Sequence, residues 1–168
     1  MNKEKSRLLA ICISPGGIPK QTVFSAEVTY AGIAGDGHNH AKHNHPNQAI
    51  SLEDIETLND LGQEGFPLSC GTIGENITVA DLDVQGLPVG TRLVFSGGVV
   101  LELSKERKPC YVLDAIDPRL KEAILGRCGF YAKVIKEGIL NVGETIDVVR
   151  QEVPDIHPQG ELQRTRLA

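Results

Sequence analysis

Short apolar runs separated by turns that contain glycine or proline recur along most of this 168-residue chain, which holds 18 glycines and 9 prolines. Runs of this length, rich in Val, Ile and Leu, are typical of β-strands rather than of helices. The predicted strands cover 8–14, 24–30, 76–79, 92–95, 99–104, 131–135 and 145–149. The pattern predicts a mainly β fold with few helices, in which short strands form a β-barrel or a strongly curved mixed sheet.

Two helices are expected among these strands. The first is predicted to begin after Ser51, a typical N-cap residue, and to end at Gly62. Its apolar positions recur every three residues, at Leu52, Ile55, Leu58 and Leu61. A second helix of about two turns is predicted between Asp117 and Gly126, because Pro118 suits the first helical position. These helices place the chain in the α+β class.

Length and composition predict one domain over 1–150, because a chain of this size can bury a sizeable core. The core is expected to be aliphatic, since aromatic residues make up 4% of the chain and Trp is absent. The apolar pattern stops at Gln151. Segment 151–168 is therefore predicted to be a polar, flexible C-terminal tail.

Charge and hydropathy argue against several classes of function. The net charge of −5 disfavours a nucleic-acid-binding protein, which usually carries a basic excess. No run of about 18 apolar residues is present, so no membrane association is expected. The apolar stretch 8–13 is too short for the centre of a signal peptide. We therefore expect a cytoplasmic protein.

The four cysteines, Cys12, Cys70, Cys110 and Cys128, include no C-x-x-C pair. A structural zinc site or a thioredoxin-type motif is therefore not expected. In the cytoplasm these thiols would be reduced. Cys12 falls in an apolar strand pattern and is predicted to fill the core.

The surroundings of Cys110 point most directly to chemistry. This residue follows Lys105, Arg107 and Lys108. Because nearby cations favour thiolate over thiol, we expect the pKa of the Cys110 thiol to be lowered. A thiolate can attack an electrophile, carry sulfur or bind a soft metal. The alternative is an inert cysteine at the end of a strand.

Five short segments resemble, in their order and spacing, the MOSC domain. That domain is the C-terminal part of molybdenum cofactor sulfurases and also occurs as free-standing bacterial proteins. The segments are GIAGDGH at 32–38, GENIT at 74–78, LPVG at 87–90, KPC at 108–110 and GRCG at 126–129. The resemblance covers 8–150 and implies a β-barrel-like fold with a pocket for the molybdenum cofactor (molybdopterin), a phosphorylated pterin with a dithiolene-bound metal.

The resemblance also implies a role for Cys110, which either carries sulfane sulfur as a persulfide or ligates molybdenum. No segment resembles the sulfurase family's pyridoxal-phosphate domain, and no pyridoxal phosphate site is expected in this chain. Sulfur would then come from a partner such as a cysteine desulfurase. Many family members carry an arginine where this chain has Asn47 and Gln48, and that difference removes a phosphate contact.

Three basic residues are predicted to contact the anionic groups of the cofactor: Arg107, Lys108 and Arg127. A planar guanidinium group suits phosphate, and a lysine acts as a point charge. The alternative is that these residues form surface salt bridges with Glu102 or Glu106.

The GENIT segment supplies two further candidates for cofactor binding. Asn76 can both donate and accept hydrogen bonds, as a pterin edge requires, and Glu75 can accept from a pterin amino group or orient a basic side chain. The alternative is a capped turn in which Asn76 bonds its own backbone. Asp36 and His38 are predicted to line the pocket wall, with Asp36 orienting the imidazole ring.

A histidine-rich loop offers another kind of site. His38, His40, His43 and His45 lie within one short segment, and neutral imidazoles can bind zinc, nickel or copper. The alternative is a solvated polar loop, or one in which a histidine is bonded to Asp36.

Three functions remain open from the sequence. The first is a molybdenum-cofactor-binding or sulfur-carrier protein that serves cofactor maturation or a molybdoenzyme partner. The second is a small molybdoenzyme component that reduces N-hydroxylated substrates and takes electrons from a reductase partner. The third is a metal-binding module that uses the loop from His38 to His45.

Overall fold

The computed structural model describes residues 4–37 and 45–152. Within these ranges the chain forms 11 strands and two α-helices. The strands are β1 Arg7–Ile13, β2 Gln21–Val23, β3 Ser25–Thr29, β4 Gly32–Ile33, β5 Ile50–Asp54, β6 Ile77–Ala80, β7 Arg92–Phe95, β8 Val100–Glu106, β9 Phe130–Lys136, β10 Gly138–Asn141 and β11 Ile146–Val149. The helices are α1 Ile55–Gln63 and α2 Leu120–Ala123. The predicted α+β class, mainly β with few helices, is confirmed.

Eight strands form one sheet in the order β11-β7-β8-β9-β5-β6-β1-β2, and β10, β3 and β4 form a smaller second sheet. The central strands β5 and β6 pair in parallel, whereas the other strand pairs of the described sheets are antiparallel. An isolated antiparallel bridge joins Arg7 of β1 to Thr145, just before β11. The strand order of the large sheet runs from β11 to β2 and does not close on itself. The barrel-like form therefore stays a prediction.

The core is aliphatic, as the composition predicts. One buried apolar cluster lies on the sheets and includes Leu8, Leu52, Leu101 and Phe95. A second cluster lies beneath the helices and includes Leu58, Leu120 and Cys128. Cys12 is fully buried in β1, which confirms the prediction that it fills the core.

The first helix begins later than predicted, and this difference matters for the site. Ser51 is not its N-cap. It lies in β5, and the N-cap is Asp54. All five residues of β5 are buried because the strand pairs with β9 on one side and β6 on the other. Strand pairing on both edges of β5 outweighs the local preference of these residues for a helix. As a result, Glu53 lies in the interior.

Other boundaries also differ from the sequence prediction. The second helix is limited to four residues, with Arg119 as N-cap, and Asp117 instead accepts a hydrogen bond from the Arg119 amide at 2.8 Å. Strand β10, which begins at Gly138 and pairs with β3, is not among the strands predicted from the sequence. In the described ranges, neither helix has the length and apolar character needed to cross a membrane.

Candidate site around Arg107 and Cys110

Arg107 connects two of the glycine-containing segments that the sequence singles out. It follows directly after β8, and its amide donates to the carbonyl oxygen of Gly129 at 2.9 Å. At the other end of the residue, Nη2 of the guanidinium donates to the carbonyl oxygen of Ile73 at 3.1 Å. The arginine therefore spans from the GRCG segment to the start of the GENIT segment.

The guanidinium group of Arg107 is not fully paired. Its Nε and Nη1 atoms are buried and have no hydrogen-bond partner among the described residues. Burial opposes the charge, but the acidic groups of Cys128, Tyr131, Glu75 and Glu53 raise the pKa of Arg107 above its usual value, so it stays a cation. The guanidinium carbon also lies 5.7 Å from the centre of the Tyr131 ring, within the range of a cation–π contact.

Two fully buried carboxyl groups lie near this cation. Glu53 Oε1 accepts from the Asp54 amide at 2.9 Å, and Glu75 Oε1 accepts from the Thr78 hydroxyl at 3.0 Å and from the Gly71 amide. The Oε2 atom of each glutamate has no hydrogen-bond partner among the described residues. Burial raises the pKa of Glu53 to about 8 and also raises that of Glu75.

Glycine at position 129 allows the close packing that assembles this group. Its φ is +80°, and a Cβ there would lie 2.0 Å from the carbonyl oxygen of Leu52 and 3.3 Å from the Cα of Glu53. No side chain fits at that distance. The GRCG segment can therefore lie directly against β5, and it brings Cys128 close to Glu53 and Arg107.

The two cysteines of the motif segments differ in accessibility. Cys110 is exposed and precedes a short 3-10 turn, Tyr111–Ala115, while Cys128 is buried. Burial raises the pKa of Cys128 to about 11, although the Arg107 charge lowers it. Cys128 is therefore a protonated thiol at neutral pH. Sulfur chemistry needs an accessible thiol, and of these two Cys110 provides it.

The remaining basic candidates lie in different surroundings. Lys108 is exposed. Arg127 is paired through Nη2 with Glu64 at 2.6 Å, and its Nε donates to the Ala123 carbonyl oxygen at 2.8 Å. The salt bridge of Arg127 involves neither of the predicted partners, since Glu102 pairs with Arg92 and Lys133. Arg127 thus links the ends of α1 and α2, and its contact with an anionic ligand stays a prediction.

Asp36 is held by partners that the sequence did not indicate. Both of its carboxylate oxygens lie 2.7 Å from Lys20 Nζ, and its side chain is 1% exposed. It also accepts from the Ser14 amide at 3.0 Å and from Asn76 Nδ2 at 2.9 Å. His38 lies outside the described residues, so the orientation of its ring by Asp36 stays a prediction.

The amide of Asn76 is fully used within the protein. Its oxygen accepts from the amide and the hydroxyl of Ser51 at 3.1 and 3.2 Å, and its nitrogen donates to the carbonyl oxygen of Cys12 at 3.2 Å and to Asp36. Asn76 therefore connects β1 with β5 and orients the Asp36 carboxylate. These contacts favour a positioning role, and direct binding of a pterin edge stays a prediction.

The histidine loop is described at one position. His45 Nδ1 accepts from the Asn47 amide at 3.1 Å and caps the 3-10 turn Pro46–Gln48. His38, His40 and His43 lie outside the described residues. Within 4–37 and 45–152, no group of three metal-ligating side chains is found, and metal binding by the histidine loop stays a prediction.

Sequence reasoning missed Glu53 and Gln85. Gln85 accepts from the Gly129 amide at 3.0 Å and donates to Glu106 at 2.9 Å, so it fixes the GRCG segment against β8. Nothing in the local sequence marks this glutamine. The local sequence gives no signal for a buried Glu53 either, because it stands beside Asp54 in the segment ISLED, most of which was predicted to form a helix.

Comparison with known proteins points in the same direction as these motifs. The family model described as "MOSC domain" matches residues 36–147. A protein named "Reductase" from Gibberella moniliformis is 28% identical over 131 residues, which are 73% of this chain and 23% of that protein. Protein YflK of Bacillus subtilis, described as uncharacterized, is 31% identical over 142 residues, 79% of this chain and 63% of YflK. The chain thus spans less than two thirds of either relative.

The fold is also found in a solved structure. The crystal structure of the YuaD protein from Bacillus subtilis superposes with a TM-score of 0.74 and 22% sequence identity. The match covers 86% of this chain and 96% of that one. It supports the fold and says nothing further about chemistry.

Proposed function

The chain belongs to the MOSC domain family, and on that premise we propose that it binds the molybdenum cofactor beside Arg107, with Cys110 as the reactive sulfur. The observation that carries the proposal is the short segment that joins these two residues. At one end a buried guanidinium keeps two donors without partners among the described residues, and at the other end a thiol is exposed.

The unpaired polar atoms around Arg107 fit such a guest. An unsatisfied buried donor or acceptor costs about 1–3 kcal/mol, so retaining several of them at one place favours a ligand that completes them. A phosphorylated pterin carries amino groups that would donate to Glu75 and negative oxygens that would accept from Arg107. When bound, the cofactor supplies a metal centre capable of redox and oxygen-transfer chemistry.

Cys110 suits either of two sulfur roles. As a soft thiolate it would ligate molybdenum. As a carrier, its thiolate would attack the terminal sulfur of a persulfide on a cysteine desulfurase. A new S–S bond would form on Cys110 while the donor's S–S bond breaks and its thiolate leaves.

A second candidate function is a component of a molybdenum-dependent reductase. It is favoured by the Gibberella moniliformis relative named "Reductase", of which this chain matches 23%. In that role, electrons for the reduction of N-hydroxylated substrates would come from a reductase partner. The cofactor site and Cys110 would be the same as in the first proposal.

Native mass spectrometry of the protein purified from hosts with and without cofactor synthesis tests the proposal. We expect a pterin adduct with one molybdenum, or the mass of one added sulfur atom, in the first host. Either signal should be lost in Cys110→Ala and kept in the control Cys70→Ala. A protein that carries neither addition, or one unchanged in Cys110→Ala, would contradict the proposal.

Further assays on the same preparations distinguish a persulfide on Cys110 from ligation of molybdenum by Cys110. Sulfur that is released by a reductant and transferred to an acceptor, without bound metal, would identify a carrier. Stoichiometric molybdenum together with turnover of an N-hydroxylated base by an added reductase would identify the enzyme component.

A further inference from the structure

Glu53 is a buried acid at the candidate site to which neither the motifs nor the comparisons assign a role. It is fully buried in β5, and its Oε2 atom has no hydrogen-bond partner among the described residues. Arg107 acts on it electrostatically, yet no hydrogen bond joins the unpaired atoms of these two residues. A buried carboxyl group and a buried cation thus act on each other while each keeps polar atoms without a hydrogen-bond partner among the described residues.

The charged and titratable groups around Glu53 come from four segments. Asp54 is its neighbour on β5, Glu75 comes from the GENIT segment, Arg107 follows β8, and Cys128 comes from the GRCG segment. Asp54 is engaged elsewhere, since it accepts from the Val84 amide at 2.8 Å. Among the groups that act most strongly on Glu53, the cation is Arg107.

We propose that Glu53 is a positioning residue that couples anion binding at Arg107 to the uptake of a proton. This inference rests on the proposed function in placing the anionic group of the guest beside Arg107. When Glu53 is neutral, the charge of Arg107 is available to the guest. When Glu53 is ionised, it competes for the same charge and repels the anion.

The coupling operates near neutral pH. Burial raises the pKa of Glu53 to about 8, so a modest change in its surroundings changes its protonation there. An anion a few ångströms away raises this pKa further, by about one unit or more at the effective dielectric constant of a protein interior. By linkage, the anion binds more tightly at low pH, where Glu53 is already protonated, and more weakly as pH rises.

The test measures sulfate affinity by calorimetry between about pH 6 and about pH 9, because sulfate keeps its charge over this range. In the wild-type protein we expect affinity to fall about tenfold across the range. Glu53→Gln copies the neutral acid, so its affinity should match the wild-type value at low pH and stay nearly constant. Glu27→Gln, which removes an exposed carboxylate on β3, should behave like the wild type.

Every other titratable group of the protein remains in Glu53→Gln. The difference between the two pH profiles therefore isolates Glu53. A purely structural role would lower the affinity of Glu53→Gln at every pH, and that result would overturn the proposal. Parallel profiles for the two proteins would overturn it as well. The wild-type protein gives an independent check by carbon NMR, in which the titration of the Glu53 carboxyl should move to higher pH when sulfate is added.

Cofactor occupancy distinguishes a free oxyanion from the phosphate of a bound pterin. If sulfate does not bind but native mass spectra show occupancy that falls with pH in the wild type and not in Glu53→Gln, the anion is the cofactor's own. Absence of pH dependence in both experiments overturns the coupling. Cofactor that binds equally at all pH values would leave the proposed function intact while excluding the role of Glu53.

Discussion

The amide of Arg107 donates to the carbonyl oxygen of Gly129 at 2.9 Å, and this contact joins the segment that carries Cys110 to the segment that carries Cys128. Gly129 also packs against the carbonyl of Leu52, where a Cβ would lie 2.0 Å away. The assembly of the candidate site therefore depends on the absence of a side chain at position 129.

Replacing Gly129 with alanine should destabilise the protein by more than about 3 kcal/mol, because backbone atoms rather than flexible side chains oppose the added methyl group. Chemical denaturation measures this cost. The matched control is Gly126→Ala, which has a similar φ of +78° but no atom within 4 Å of the added Cβ. That variant should lose only about 1 kcal/mol, the cost of the left-handed backbone conformation. Equal losses in the two variants would contradict the packing argument.

The strand pattern could be predicted from the sequence because short apolar runs between glycine turns have few other solutions. Strand β7 was predicted with its observed bounds, Arg92–Phe95. The first helix was predicted to begin too early because Ser51 and Leu52 fit a helical pattern locally. Pairing of β5 with β6 and β9 depends on residues far away in sequence, and local propensity carries no information on it.

Removing the charge of Asp36 should cost about 3–5 kcal/mol, as expected when one partner of a buried ion pair is lost. In Asp36→Asn the new amide group would face the ammonium of Lys20 or the donor of Asn76, both of which now point to carboxylate oxygens. Urea denaturation measures the loss. Asp147→Asn removes an exposed partner of Lys5 and should change stability very little. A small effect of Asp36→Asn would show that Lys20 finds another partner or water.

The sequence indicated which segments form the candidate site but not how their side chains pair. The motif residues Asp36 and Asn76 do meet, at 2.9 Å, but Lys20, which completes their network, belongs to no motif. Glu53 was hidden because a residue placed on a helix face is expected to be solvated, whereas the same residue in a central strand is buried. Which side chains meet across the fold depends on which distant strands pair, and local propensity does not specify that.

Alkylation should discriminate sharply among the thiols of the folded protein. Cys110 is exposed and should react first, whereas Cys12 and Cys128 are buried, with pKa values raised by burial to about 12 and about 11. Shifts of two to three units mean that, at the same pH, the thiolate fraction of the buried thiols is at least about a hundredfold smaller than that of a thiol with an ordinary pKa. Peptide mass spectrometry after a short exposure to iodoacetamide measures the order of labelling. Cys110→Ala should abolish the fast phase, and early labelling of Cys128 would contradict the assignment of Cys110 as the accessible thiol.

The contribution of Glu53 to the stability of the protein should fall as pH rises from acid to weakly alkaline. Its pKa is raised by burial from 4.5 to about 8 in the folded protein, so its contribution is complete below the unfolded value and is lost as pH rises toward the folded one. The loss approaches about 1.4 kcal/mol per pH unit between these two values, or on the order of 5 kcal/mol in total. Urea denaturation at a series of pH values measures it, and Glu53→Gln should be more stable than the wild type by an amount that grows with pH.

Glu102 provides a control of opposite sign. Burial opposes its ionisation, but hydrogen bonds from Lys133 and Arg92 lower the pKa of Glu102 below its usual value. Its contribution is therefore present at neutral pH and lost in acid, so Glu102→Gln should be less stable than the wild type at neutral pH and equal to it in acid. If Glu53→Gln followed the profile of Glu102→Gln, Glu53 would have to be ionised and paired in the folded protein, contrary to its unpaired Oε2 atom.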